Sequence, residues 1–212
     1  MIYLMENTDS CTEDNLSALL PFLSEERRAK TLRYRFLSDR INCAAAFCLL
    51  RLGLYREYGI TSVPKFILVK NEKPCLADRA DIHFNLSHCK KAVACIVSGS
   101  NTAIDINEIR PSHRSVAARV CSPGELSRIE KSSDPDREFM RLWTEKECVS
   151  KLDGRGLSAD YRAILSEPEA GLIRHIERQE YIVSYICAEK GETVFIKNAA
   201  ELFMLLHQAL KG

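Results

Sequence analysis

Several features that mark common protein classes are missing from this sequence of 212 residues. The first residues do not form a basic segment followed by a long apolar stretch, as a secretory signal peptide would. No apolar run approaches the roughly 20 residues that a membrane-spanning helix needs. The formal net charge is only +1, which gives no general affinity for nucleic acid or anionic membranes. We therefore expect a cytoplasmic protein with no nucleic-acid or membrane partner.

The nine cysteines contain no Cys-x-x-Cys pair, which zinc sites and redox sites often use. Most of them lie in apolar stretches, such as Cys95 within residues 92–97. Free cysteine packs well as a small apolar side chain. We expect these cysteines to be reduced and structural, with a metal or redox role as the alternative.

Hydrophobic residues make up 46% of the chain and charged residues 28%, enough apolar material for a sizeable core. The pattern predicts helices at residues 13–23, after Ser24, from Ser38-Asp39 to Gly59, after Pro111, at 136–152 and at 199–210. It predicts strands at residues 66–69, 84–87, 92–97, 102–106, 181–187 and 193–196. Helices followed by strands, twice over, indicate an α+β fold rather than alternating α/β units. The seam near residues 98–101 predicts two halves, 1–101 and 102–212.

Two segments carry residues suited to chemistry on a phosphate. A strand that reads Ala-Ile-Asp-Ile-Asn-Glu places Asp105 behind a buried-looking run, with Asn107 on the same face. A helix that reads Trp-Thr-Glu-Lys-Glu-Cys-Val-Ser-Lys places Glu147 and Lys151 one turn apart. Two carboxylates can hold a divalent cation, and a nearby lysine can meet the anion that the cation binds.

Each of these residues also has a simpler interpretation. Glu147 and Lys151 alone would be a solvated helix pair, and Asp105 alone a turn former. His88 would by default be a surface histidine in a turn. Trp143 is interpreted as core packing. The basic helix that holds Lys30 would be a solvated face.

Five motifs in order change this interpretation. They are Lys73-Pro74, Phe84-Asn85-Leu86-Ser87-His88, Ala103-Ile104-Asp105, the helix from Trp143 to Lys151, and Gly154-Arg155-Gly156-Leu157-Ser158. Together they resemble the Sfp-type 4′-phosphopantetheinyl transferases. The resemblance covers roughly residues 23–158, and the rest more faintly.

The resemblance implies transfer of the 4′-phosphopantetheine arm of coenzyme A to a serine of an apo acyl or peptidyl carrier protein. The reaction would need Mg²⁺, would release 3′,5′-ADP, and would serve fatty-acid or secondary-metabolite biosynthesis. The implied fold is an intramolecular pseudo-dimer of two similar α+β halves, with coenzyme A between them. We expect a monomer.

The resemblance also implies roles for individual residues. The catalytic residues would be Glu147, which alone or with a magnesium-bound water deprotonates the carrier serine, and Lys151, which stabilises the leaving phosphate. The metal ligands would be Asp105, Asn107 and Glu147. The residues that hold coenzyme A would be Lys30, Lys73, Pro74, Ser87, His88 and Asp105, with His88 near the 3′-phosphate.

Two departures from the family pattern keep an alternative open. Many bacterial members carry an acid where this chain has Asn107, a neutral oxygen donor that should weaken Mg²⁺ binding. Glu72 places a negative charge where the family has glycine, next to Lys73. We expect a working enzyme with a weaker or more hydrated metal site. The alternative is a catalytically weakened or inactive protein on the same fold that binds coenzyme A or a carrier.

Overall fold

The computed structural model of the protein describes residues 1–68, 73–111, 114–156, 160–188 and 191–210. Motif positions Glu72, Leu157 and Ser158 lie outside these ranges, as does the end of the strand predicted at 66–69. The strands are β1 (Ile2–Glu6), β2 (Phe66–Leu68), β3 (Pro74–Leu76), β4 (His83–His88), β5 (Ala92–Ser98), β6 (Ala103–Glu108), β7 (Arg174–Glu177), β8 (Tyr181–Ile186) and β9 (Thr193–Ile196). The α-helices are α1 (Glu13–Leu19), α2 (Glu25–Arg33), α3 (Leu37–Tyr58), α4 (Arg114–Val120), α5 (Pro123–Lys131), α6 (Pro135–Asp153) and α7 (Ala199–Leu210). Short 3-10 helices span Thr8–Ser10, Leu20–Phe22, Ile164–Ser166 and Pro168–Leu172.

Two sheets, in which most neighbouring strands are antiparallel, pack against each other. Helices cover their outer faces. The first sheet has the order β4-β5-β1-β9 and the second the order β6-β8-β7, while β2 and β3 form a separate pair. Alternate residues of β5 serve both layers: Val93 and Cys95 join the core under α3, whereas Ala94 and Ile96 pack on the second sheet. The other face of the second sheet packs on α6. This arrangement confirms the α+β prediction.

The local signals explain most helix ends. Ser24 accepts a hydrogen bond from the backbone N–H of Arg27 and begins α2, as predicted. Gly59 adopts φ of +66° and ends α3, a conformation in which glycine has no steric cost. The prediction that Ser38-Asp39 caps α3 is wrong, since Phe36 is the N-cap residue. Leu37, the first residue of α3, packs against the core. Asp39 therefore lies within the first turn of the helix and not before it.

The predicted division into residues 1–101 and 102–212 does not follow the packing of the chain's end. Strand β9 pairs in parallel with β1, a strand that the sequence pattern missed, and so lies in the first sheet. Ile196 and Leu202 join the core that contains Tyr3 and Phe47. The last described strand and helix therefore belong with the N-terminal layer. The described helices include none that is both long enough and apolar enough to cross a bilayer.

Helix α3 lies unusually close to the first sheet. A Cβ atom added at Gly53 would lie 2.8 Å from Cγ2 of Val97 and 3.1 Å from Cε2 of Tyr3. Glycine at this position permits the approach, because real Cβ atoms do not tolerate such a contact.

Side chains join the two sheets where β4 runs beside β6. The backbone N–H of Ile104 donates to Oδ1 of Asn85 at 3.1 Å, and that of Ile106 donates to Oγ of Ser87 at 3.3 Å. The edge of β6 is therefore satisfied by β4 side chains instead of a backbone ladder. This junction fixes Asp105, the residue between these two donors, beside the end of β4.

Candidate active site

Asp105 is a buried carboxylate whose two oxygens both accept hydrogen bonds. It lies on β6 and is only 4% exposed. Its Oδ1 accepts from Oγ of Ser87 at 2.8 Å and from Nζ of Lys151 at 2.6 Å, and its Oδ2 accepts from Nδ2 of Asn107 at 2.7 Å. Both oxygens are thus oriented, which a buried carboxylate requires.

Helix α6 supplies the other two predicted functional side chains. Nζ of Lys151 bridges Asp105 and Ser87, lying 3.0 Å from the serine oxygen. One turn earlier, Oε1 of Glu147 accepts from the hydroxyl of Tyr161 at 2.7 Å. The i, i+4 spacing therefore directs Glu147 and Lys151 to the same side of α6, toward β6.

These residues line one open cavity of about 480 Å³ between β4, β6 and α6. Its lining, within the part of the chain that the structure describes, consists of Leu86, Ser87, His88, Asp105, Ile106, Asn107, Arg110, Trp143, Glu147 and Lys151. The cavity brings together six predicted site residues, from both halves of the sequence: Ser87, His88, Asp105, Asn107, Glu147 and Lys151.

Three of the residues predicted to hold coenzyme A lie outside this lining. Nζ of Lys73 donates to the carbonyl oxygen of Leu152 at 2.7 Å and to Oδ1 of Asn101 at 2.9 Å, so this lysine ties β3 to the end of α6. Burial lowers the pKa of Lys73, although nearby Cys75 and Asp153 oppose the shift. Pro74 is exposed at the start of β3, and Lys30 is exposed in the last turn of α2.

His88 faces the cavity in a defined tautomer. Nδ2 of Asn42 lies 3.2 Å from the carbonyl oxygen of Cys89 and 3.4 Å from Nδ1 of His88. A carbonyl oxygen can only accept, so Nδ2 is the donor and Nδ1 of His88 accepts. The neutral ring therefore carries its proton on Nε2. Burial against the cavity wall and, after it, the charge of Lys151 lower the pKa of His88.

The donor set fits a hydrated magnesium site and not a closed protein cage. The described ranges contain no group of three or more His, Cys, Asp or Glu side chains placed to hold a metal ion. Asp105 and Glu147 are two carboxylates on one cavity, and Mg²⁺ typically uses one or two such ligands plus waters and phosphates. Asn107 donates to Asp105, and a Glu at that position could not do so. A cation on Oδ1 of Asp105 would compete with Lys151 and Ser87, which both donate to that oxygen.

Sequence reasoning missed several residues that shape the cavity. Trp143 packs against a core cluster, as predicted, but it also lines the cavity wall and stacks on Tyr161 with ring centroids 5.7 Å apart. Arg110 lies just past β6 and also lines the cavity. Lys146 lies on the same helix as Trp143 and is fully buried, which its charge does not predict. Tyr161 lies in an irregular segment that gave no sequence signal.

Comparison with known proteins identifies relatives of this chain. A family model described as the 4′-phosphopantetheinyl transferase superfamily matches residues 102–199. The 4′-phosphopantetheinyl transferase psf-1 of Bacillus pumilus is 30% identical over 179 residues, which cover 82% of this chain and 77% of the relative. The 4′-phosphopantetheinyl transferase Sfp of Bacillus subtilis (strain 168) is 31% identical over 151 residues, 69% of this chain and 67% of the relative. HetI of Nostoc sp., also a 4′-phosphopantetheinyl transferase, is 30% identical over 155 residues, 69% of this chain and 65% of the relative.

Proposed function

Because the chain belongs to the 4′-phosphopantetheinyl transferase superfamily, we propose that it transfers the 4′-phosphopantetheine arm of coenzyme A to a serine of an apo carrier protein. The second product is 3′,5′-ADP. The observation that carries the proposal is the cavity in which Asp105, Glu147 and Lys151 meet. Two acids and a lysine in one cleft provide the charges that phosphoryl transfer requires.

The proposed step exchanges one phosphorus–oxygen bond for another. The serine oxygen attacks the phosphorus that carries the pantetheine, and the bond from that phosphorus to the bridging oxygen breaks. The electron pair stays on the bridging oxygen, which leaves with 3′,5′-ADP. Glu147 takes the proton of the serine hydroxyl, as a general base within reach of the cavity. The ammonium of Lys151 stabilises the negative charge that develops on the leaving phosphate.

We propose that Asp105 and Glu147 hold Mg²⁺, with Asn107 supplying at most a neutral oxygen. When bound, the ion neutralises charge on the pyrophosphate. Lys151 has a second task in this account, since it occupies Oδ1 of Asp105 at 2.6 Å. The ammonium leaves that oxygen when the pyrophosphate offers it a new anionic partner.

The remaining assignments concern coenzyme A. His88 donates through Nε2 to the 3′-phosphate, and Ser87 holds Asp105 and Lys151 in place, a role supported by its contacts to both. Lys30, Lys73 and Pro74 complete the coenzyme A site in this proposal. For Lys73, this requires the loss of its hydrogen bonds to Leu152 and Asn101. We further propose that the two sheets with their covering helices are the two similar halves of an intramolecular pseudo-dimer. The protein would act as a cytoplasmic monomer on an acyl or peptidyl carrier.

A carrier modification assay tests this function. The protein is incubated with coenzyme A, Mg²⁺ and a panel of apo carriers from fatty-acid, polyketide and peptide synthesis, and the intact mass of each carrier is measured. We expect at least one carrier to gain the mass of one arm, and the same carrier with its serine changed to alanine to gain nothing. If no carrier is modified although calorimetry shows that the protein binds coenzyme A, the transferase function is contradicted. That result favours the alternative, a catalytically inactive protein that binds coenzyme A or a carrier.

A further inference from the structure

Tyr161 contacts the proposed base but contributes no atom to the described lining of the catalytic cavity. Its hydroxyl donates to Oε1 of Glu147 at 2.7 Å, and the residue is only 9% exposed. The hydrogen bond occupies one oxygen of the carboxylate and leaves the other to turn toward a ligand. Tyr161 therefore lies behind Glu147 as seen from the cavity.

Two further contacts hold Tyr161 in this position. Its carbonyl oxygen accepts from Nζ of Lys146 at 2.6 Å. The same ammonium contacts both carboxylate oxygens of Glu125, at 2.7 and 2.9 Å. The Tyr161 ring stacks on Trp143 with an interplanar angle of 23°. Backbone, ring and hydroxyl are thus fixed separately.

The group beneath Tyr161 is a buried charge pair. Lys146 is fully buried, and Glu125 is 8% exposed. Glu125 also closes the capping box of α5, where its side chain accepts from the backbone N–H of Ser122. Removing one partner of such a pair leaves an uncompensated buried charge, which is strongly destabilising. The pair therefore connects Tyr161 to the start of α5.

Tyr161 is the donor in its hydrogen bond to Glu147, because a carboxylate oxygen can only accept.

We propose that Tyr161 is a positioning residue that orients the Glu147 carboxylate for Mg²⁺ and for the carrier serine. The inference rests on the proposed function of Glu147. A residue that fixes a ligating carboxylate from behind typically contributes about 10- to 100-fold to metal affinity or activity.

The variant Tyr161→Phe keeps the ring on Trp143 and removes only the hydroxyl. Its matched control is Tyr3→Phe, which removes a part-buried Tyr–Glu hydrogen bond of 2.8 Å to Glu57 in the other layer. Both variants are compared with the wild type by thermal unfolding, by calorimetric Mg²⁺ titration in the presence of coenzyme A, and by kcat and KM for coenzyme A.

We expect Tyr161→Phe to weaken Mg²⁺ binding and to lower kcat, each by roughly 10-fold, with KM for coenzyme A little changed. Tyr3→Phe should leave Mg²⁺ affinity and kcat intact. In a Glu147→Gln background, Tyr161→Phe should no longer change Mg²⁺ affinity. Tyr161→His, which can still stack and donate, should recover part of the loss.

Two results would overturn the role of Tyr161: Mg²⁺ affinity equal to that of the Tyr3→Phe control, or an equally large loss in the Glu147→Gln background. A failed transferase function gives a different pattern, since the wild type would then modify no carrier. The calorimetric comparison would still decide whether Tyr161 acts through Glu147.

Discussion

The two walls of the cavity are built in different ways. The acidic wall consists of Asp105, Asn107, Glu147 and Lys151, and hydrogen bonds of 2.6 and 2.7 Å connect Asp105 to its neighbours. The β4 wall consists of Leu86, Ser87 and His88. His88 is only partly covered, and its imidazole makes one hydrogen bond among the described residues, of 3.4 Å to Asn42.

The difference indicates that one wall stabilises developing charge and the other wall binds phosphate. Groups that meet developing charge are most effective when they are oriented before the reaction, because they then need no reorganisation. The acidic wall meets that condition through contacts within β6 and α6, supported by Ser87 of β4 and by Tyr161. Groups that only bind a phosphate can remain mobile and be ordered by the ligand. His88 and the exposed Lys30 fit the second description, whereas Lys73 is held by Leu152 and Asn101.

The largest expected effect comes from Asp105→Asn. The change removes a carboxylate from the metal site and leaves Lys151 without its anionic partner. We expect transfer to fall on the order of 10²- to 10³-fold. Carrier modification rates at saturating coenzyme A measure the effect, and Asp81→Asn, which alters an exposed Asp–Arg pair, is the control. A loss of less than threefold would remove Asp105 from the reacting centre.

Lys151→Met should separate two roles of the lysine. Transfer should fall about 10²-fold, because the leaving phosphate loses its cation. Mg²⁺ binding without coenzyme A should become tighter, because the ammonium no longer competes for Oδ1 of Asp105. Calorimetry measures the second effect, with Lys131→Met on the exposed end of α5 as control. Weaker Mg²⁺ binding in Lys151→Met would disprove the competition.

Asn107→Glu should restore a third acid to the wall. One added carboxylate near a cation should lower the half-saturating Mg²⁺ concentration by about tenfold. Asn107→Ala separates this gain of charge from the loss of the hydrogen bond to Asp105. An unchanged half-saturating concentration in Asn107→Glu would show that position 107 does not limit metal binding.

The smallest effect should come from the β4 wall. The pKa of His88 lies below its usual 6.5 in the free protein, and a bound phosphate would raise it. Since binding takes up a proton, coenzyme A affinity should rise as pH falls from 7.5 toward 6, by at most about tenfold. His88→Gln keeps a donor but cannot titrate, so its profile should report only the titration of coenzyme A itself. Parallel profiles for wild type and His88→Gln would exclude a proton taken up by His88.

The sequence predicted the acidic wall because its geometry is local. Strand alternation places Asp105 and Asn107 on one face, and helical spacing aligns Glu147 with Lys151. Nothing local indicated that Ser87 would bridge β4 to Asp105, since that contact requires two sheets to meet. The predicted coenzyme A residues depend on such long-range placement, and Lys73 lies against Leu152 instead of in the cavity.

Lys146 shows the same limit from the other side. A lysine side chain is normally exposed, yet Lys146 is fully buried. Its partners Glu125 and Tyr161 come from α5 and from an irregular segment, so no periodicity reveals them. Breaking such a buried pair costs about 3–5 kcal/mol. The short strand β1 was missed for a related reason: its place in the first sheet depends on β9, near the end of the chain.

The transfer rate at saturating coenzyme A and Mg²⁺, measured for Asp105→Asn beside His88→Gln, tests the contrast between the two walls most directly. We predict that kcat falls steeply in Asp105→Asn, whereas His88→Gln keeps kcat and changes only KM for coenzyme A. An unchanged kcat in Asp105→Asn, or an equal collapse of kcat in His88→Gln, would contradict it.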